Sequence, residues 1–312
     1  MKRQRIYLLL FPALLLVSGC SDSEQSEPEQ VPIELHAQGD ATVETKADAD
    51  QAITKAFGTT VFASMRSGDY TGLTSPANVK EWKIDTEVQT NGTVPLSENP
   101  TYPENGDWLY LIAVAPKASS YSDNDGKVTY TLAGQTDLMY ASQISGNRWD
   151  GNHFVPLTYK HLLTQLTFKA MKKVTGGLTV KVKKITVTTT NSVTLALTDG
   201  ETSFSGSGEL FLELPDDGTE ISGTTATSLS NSLLLPPLTG TSDVYKLTVE
   251  TSIGTFKDLE ITPQSDGENL SFAGGTSHEI TLNIGDKELG ISSVTVSEWV
   301  PVVKNDDLNL VE

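Results

Sequence analysis

One cysteine in 312 residues excludes a disulfide framework and any cysteine-rich zinc or iron–sulfur site. Histidine is equally scarce. His36, His153, His161 and His278 stand far apart, without a His-x-x-x-His or Cys partner, so each reads as a strand or loop residue rather than a metal ligand. Positive charge is short as well: 22 Lys+Arg against 40 Asp+Glu give a formal charge of −18. That removes the electrostatic term on which nucleic-acid binding depends and makes an anionic membrane surface a poor docking partner. No Gly-x-Ser-x-Gly elbow and no phosphate-cradling glycine loop occurs, and forty carboxylates by themselves define no acid–base pair. Neither an enzyme nor a cofactor is expected. What remains, 37% hydrophobic and 7% aromatic, suffices for one or two ordinary cores, and the length favours two domains.

The longest apolar run lies at the N-terminus. Lys2, Arg3 and Arg5 precede an apolar stretch from Ile6 to Val17, which Val17-Ser18-Gly19-Cys20 closes with small residues. This is an export signal, too short to span a bilayer comfortably. It resembles a bacterial lipoprotein signal, residues 1–19, whose terminal cysteine is cleaved and acylated. Cys20 is then the lipid anchor, and several acyl chains at roughly 0.8 kcal/mol per buried CH₂ hold stably where one alone is marginal. Removing three positive charges and no negative ones takes the exported chain from −18 to −21. Residues 20–32 follow as an acidic tether with little to bury. The tether is similar to acidic signals that route some Gram-negative lipoproteins to the outer face of the outer membrane; a plain solvated spacer has the same composition.

From Ile33 onward the period of the apolar residues is two. Val61 to Met65, Trp82 to Asp85, Trp108 to Ala115, Lys127 to Leu132, Leu178 to Val182, Ser192 to Leu197 and Ile280 to Ile284 alternate apolar residues with Thr, Ser or Lys. Such segments read as half-buried antiparallel strands. Asn91-Gly92, Asn105-Gly106, Asp199-Gly200, Asp217-Gly218 and Asp266-Gly267 punctuate them as tight turns. The chain is therefore all-β, with sandwiches as the expected architecture. At Lys183-Lys184 the alternation changes phase, which predicts a bulge. Tyr159 to Gln165 alone is compatible with a short helix. A boundary near Pro156, after a turn-rich stretch, divides the chain into residues 33–156 and 157–299, with 300–312 as a C-terminal tail.

Two local features invite a ligand. Asp123-Asn124-Asp125-Gly126 begins like a calcium loop, but its acidic spacing is compressed and no bidentate Glu follows, so a hairpin turn accounts for it. Among the four tryptophans, Trp82 and Trp108 lie in apolar alternation and are expected in the core. Trp149, inside a Gly/Asn/Asp-rich loop, is expected to be exposed, as the candidate ligand-binding residue for a glycan or a host partner.

The arrangement resembles the fimbrillin (Mfa-like) family, lipoprotein subunits of type V pili. The resemblance rests on the Cys20 lipobox, Ile33-Glu34-Leu35-His36-Ala37 followed by Val43-Glu44-Thr45-Lys46-Ala47, and Ala56 to Ala63. Gln135 to Ala141, Val155 to Phe168, Phe272-Ala273-Gly274-Gly275 and the closing Val294 to Trp299 carry it further. It implies two tandem transthyretin-like antiparallel β-sandwich domains and a pilus subunit displayed at the cell outer membrane, then in the fimbria. It also implies polymerisation with other pilus subunits by strand exchange, after a trypsin-like surface protease removes the first strand. In those terms Ile33, Leu35 and Ala37 form the plug strand, and Lys46 is the processing site with Lys55 as second choice. Leu308 and Leu310 alternate as a donor strand should. The family is described with an arginine-specific protease, whereas the exported chain has only Arg66 and Arg148, so cleavage here requires acceptance of lysine. The alternative is a monomeric surface lipoprotein that binds a glycan or protein partner through loop aromatics.

Overall fold

The structure, a computed structural model, describes residues 30–39, 53, 55–74, 81–151, 153–174, 179–238, 240, 243–263, 271–285, 288–297 and 299. Its first half contains β1 (Leu35–Gly39), β2 (Phe57–Ser64), β3 (Trp82–Val88), β4 (Thr93–Val94) and β5 (Leu109–Ala115). Then come β6 (Tyr121–Ser122), β7 (Lys127–Thr131), β8 (Met139–Gly146), β9 (Leu157–His161) and β10 (Thr164–Lys172). The second half continues with β11 (Val180–Thr189), β12 (Ser192–Ala196), β13 (Thr202–Ser205), β14 (Gly208–Leu212) and β15 (Thr219–Ile221). It closes with β16 (Thr227–Leu235), β17 (Tyr245–Thr251), β18 (Gly254–Ile261), β19 (Ser277–Ile284) and β20 (Leu289–Ser297). Among the described residues there is no helix, as the period-two patterning requires. Tyr159 to Gln165 is the end of β9 and the start of β10.

Four sheets result. A seven-stranded sheet runs β3-β2-β5-β8-β9-β1-β4, and a four-stranded sheet runs β16-β10-β19-β20. A five-stranded sheet runs β14-β11-β17-β18, with β15 also on β11, and a small sheet runs β13-β12-β7-β6. The bulge expected at Lys183-Lys184 is present as a register shift between Val182 and Lys184 opposite β17.

The seven-stranded sheet departs from the half-buried pattern. Val61, Ala63, Leu111 and Ala113 face one hydrophobic core, which also holds Trp82 and Leu157. Phe62, Ile112, Val114 and Tyr140, on the opposite face, join the core built around Phe168, Val187 and Ile280. Both faces of β2 and β5 are therefore covered, which is why Leu111-Ile112-Ala113-Val114-Ala115 is continuously apolar. Trp108, at the margin just before β5, is 45% exposed and not a core residue as its alternation suggested.

The sequence division after Pro156 does not coincide with the change of sheet. β9, which begins at Leu157, pairs with β8 and β1, so the chain leaves the seven-stranded sheet between His161 and Thr164. The halves are also stitched together, because β7 pairs with β12 from Ser192↔Thr131 to Ala196↔Lys127. The Tyr140 hydroxyl donates to Leu197 O at 3.0 Å across the same seam.

Candidate functional site

β1 lies inside the seven-stranded sheet, and none of its neighbours is close in sequence. It runs antiparallel to β4, with Leu35↔Val94 and His36↔Thr93, and parallel to β9, with Ala37↔Leu157, Gln38↔Thr158 and Gly39↔Tyr159. Upstream residues extend the seat. Tyr102 N donates to Val31 O, Ile33 N to Pro100 O and Ala37 N to Gly92 O, at 2.9, 2.9 and 2.7 Å. The Asn91-Gly92 turn is specific to this packing: Gly92 has φ 79°, and a Cβ there would fall 2.7 Å from Ala37 O.

Alternation along this segment separates pairing from burial. Ile33, Leu35 and Ala37 are 6%, 2% and 8% exposed, whereas Glu34 and His36 face solvent. Burying Ile33 and Leu35 contributes about 1.5–3 kcal/mol each. Their surroundings include Val94, Tyr102, Leu157 and Tyr159. Tyr159 forms a fixed floor, because Thr59 Oγ1 donates to Val114 O at 2.7 Å and accepts from the Tyr159 hydroxyl at 2.7 Å. Phe57 packs edge-on against its ring at 5.1 Å, and burial raises the Tyr159 pKa, so the hydroxyl stays protonated. β4 is two residues long. With β1 absent, β9 would become an edge carrying unpaired main-chain groups beside open apolar pockets.

The connection from β1 to β2 contains both candidate processing residues. Lys46 lies outside the described residues; Lys55 sits half-buried in a bend just before β2. Cys20, Leu308 and Leu310 also lie outside them. Trp299, the last described residue, stacks on His161 with ring centroids 3.9 Å apart and planes 20° from parallel. His161 Nδ1 is 3.0 Å from the Asp137 carboxylate. The root of the tail therefore rests against the end of β9, the strand that walls the seat of β1. From the sequence His161 is expected to be an ordinary strand or loop residue. No local signal announces the contact, since Asp137, His161 and Trp299 meet only through sheet pairing.

Beyond β5 and β8 the sheet ends in two loops. Trp149 is 70% exposed there, whereas Trp82 is fully buried in β3. Asp123-Asn124-Asp125-Gly126 is the turn between β6 and β7.

Among solved structures, the fold is similar to a candidate cell adhesion protein of Bacteroides uniformis at 16% identity and TM-score 0.57, covering 86% of this chain and 98% of that one. A candidate cell adhesion protein of Bacteroides ovatus is similar at 14% identity and TM-score 0.56, over 88% and 99% of the two chains. A candidate polysaccharide-binding protein of Bacteroides thetaiotaomicron is similar at 12% identity and TM-score 0.51, over 88% and 99%. None of the curated proteins matches the chain. The sequence profile of the fimbrillin-like family matches residues 41–299, and the chain belongs to that family.

Proposed function

We propose that the protein is a structural subunit of a cell-surface fimbria, exported as a lipoprotein anchored through Cys20 and polymerised by strand exchange. The carrying observation is the seat of β1. This strand is held by main-chain pairing to β4 and β9 and by alternate apolar side chains, with no sequence-adjacent partner in the sheet. Proteolysis after Lys46 would cut the covalent link to β2 and let the segment holding Ile33, Leu35 and Ala37 leave. A strand from another subunit would then supply the same hydrogen bonds and fill the same pockets, which is β-augmentation. Leu308 and Leu310 are the two alternating apolar residues this chain offers as donor.

Lysine, rather than arginine, fits the architecture. Arg66 follows β2, so a cut there would release β2, which pairs with both β3 and β5. Arg148 lies after β8, with its Nη1 donating to Glu104 O at 3.0 Å. A cut after either would detach strands from the centre of the sheet along with β1. Lys55 remains the second choice, placed directly before β2.

Surface fractions from cells expressing the natural chain, Lys46→Ala and a deletion of 308–312 test the assignment. The natural chain is expected to form SDS-resistant ladders and both variants to lose them. Ladders that persist unchanged in both would remove Lys46 and the tail from the mechanism.

A further inference from the structure

The loop end of the seven-stranded sheet presents an ordered aromatic surface that strand exchange does not use. Leu109 pairs with Gly146, so Trp108 and Asn147 stand just past the last pair of β5 and β8 at that end, with Trp149 two residues on. Trp108 and Trp149 are 45% and 70% exposed. A tryptophan left in water forgoes the stabilisation that packing its large apolar ring would give.

The exposed ring is nevertheless held in place. Asn147 Oδ1 accepts from Trp149 N at 2.8 Å and from Asp150 N at 2.9 Å, fixing the backbone. The Arg148 guanidinium carbon lies 4.6 Å from the centre of the indole, a cation–π contact that holds the ring while leaving most of it in solvent. The indole edge rests on the Asn105-Gly106 turn: Gly106 has φ 76°, and a Cβ there would fall 2.0 Å from Trp149 Nε1. Binding on such a ring avoids much of the cost of ordering a side chain.

The surroundings define the ligand. On the turn whose Gly106 meets the indole, Asn105 and Asp107 are exposed, and Asn105 Nδ2 donates to Asp107 Oδ2 at 2.7 Å while Asn105 Oδ1 accepts from Asp107 N at 3.1 Å, so a planar amide and a carboxylate are held in place one residue either side of that contact. A flat apolar face bordered by such groups matches a sugar ring, with its C–H face and rim of hydroxyls. An anionic ligand would meet a chain of net charge −18. A protein partner seeks a wider apolar core than exposed Trp108, Trp149 and Val155 provide among Asn, Asp, Gly and Arg. The geometry points to Trp149 as the stacking platform of a binding site for a neutral pyranose, with Asn105 and Asp107 as hydroxyl partners.

The full chain is applied to an array of neutral mannose-, galactose- and N-acetylglucosamine-based oligosaccharides, and the strongest binder is titrated by tryptophan fluorescence. Trp149→Ala is expected to weaken binding at least tenfold, and Trp149→Phe only severalfold. Asn105→Ala should lower the preference between sugar epimers. All three variants should keep the thermal midpoint within about 2 °C. Absence of binding by the natural chain, unchanged affinity in Trp149→Ala, or binding confined to anionic glycans would overturn the site. So would Trp149-dependent capture of a protein in place of any glycan. The assay needs no polymerisation, so its outcome and that of the strand-exchange ladders are read separately.

Discussion

At the residue scale, one of the tightly constrained positions holds the first strand. Gly92 sits at positive φ with no room toward Ala37 O. Gly92→Ala should therefore destabilise the fold by about 1–3 kcal/mol and speed release of the first strand after nicking, measured by urea unfolding and by protease protection of residues 31–39. His278 offers a second test. It is 1% exposed in β19, packs edge-on to Phe272 at a centroid distance of 4.8 Å, and burial lowers its pKa from 6.5 to about 4. Its folded-state pKa is below the unfolded one, so its contribution is complete above pH 6.5 and is lost as pH falls towards 4. The loss is on the order of 2–3 kcal/mol. Urea titrations at pH 7.5 and 4.5 should show a smaller acid-induced drop in His278→Gln than in the natural chain; equal drops would assign the acid sensitivity to the carboxylates.

At the scale of the element, the alternation Ile33-Glu34-Leu35-His36-Ala37 was readable in the sequence, and the three apolar residues are buried as that pattern requires. The partners of β1 were not readable. Its parallel pairing to β9 joins segments far apart in the chain, and register of that kind leaves no local mark. The change of sheet leaves no local mark for a related reason: Pro156 and its turn-rich neighbours signal a loop, whereas sheet membership of Leu157–His161 is decided by β8 and β1. Trp108 shows the limit of period-two reading. Its place in the alternation is correct, but β5 begins one residue later, at Leu109, and the side chain meets solvent at the sheet margin. A chain beginning at Ala47 tests the seat of β1 directly. It should melt several degrees below the longer chain, and a saturating peptide of residues 31–39 should restore the difference. The same peptide carrying Leu35→Asp should restore none of it, because the carboxylate would enter a dry pocket.

At the scale of the whole molecule, the all-β class was legible from the period and the turns, whereas the joining of the two halves was not. β7 with β12, and the core that takes Phe62, Ile112 and Tyr140 together with Phe168 and Ile280, join them. Calorimetry and urea unfolding followed by two probes should show a single coincident transition; two resolved transitions would mean that the small bridging sheet does not couple the halves. Charge supports the same picture from outside. Residues 1–46 hold seven acidic and four basic side chains, leaving 33 against 18, or −15, for the part that would polymerise. Like-charged subunits would repel, so under the proposed assembly the attraction would come from strand pairing and apolar burial. The central claim is that β1 leaves before assembly, and N-terminal sequencing with intact mass of the surface-assembled protein tests it most directly. A start at Ala47 with residues 31–39 gone is the expected result; an acylated Cys20 still continuous with Ile33, Leu35 and Ala37 would contradict it.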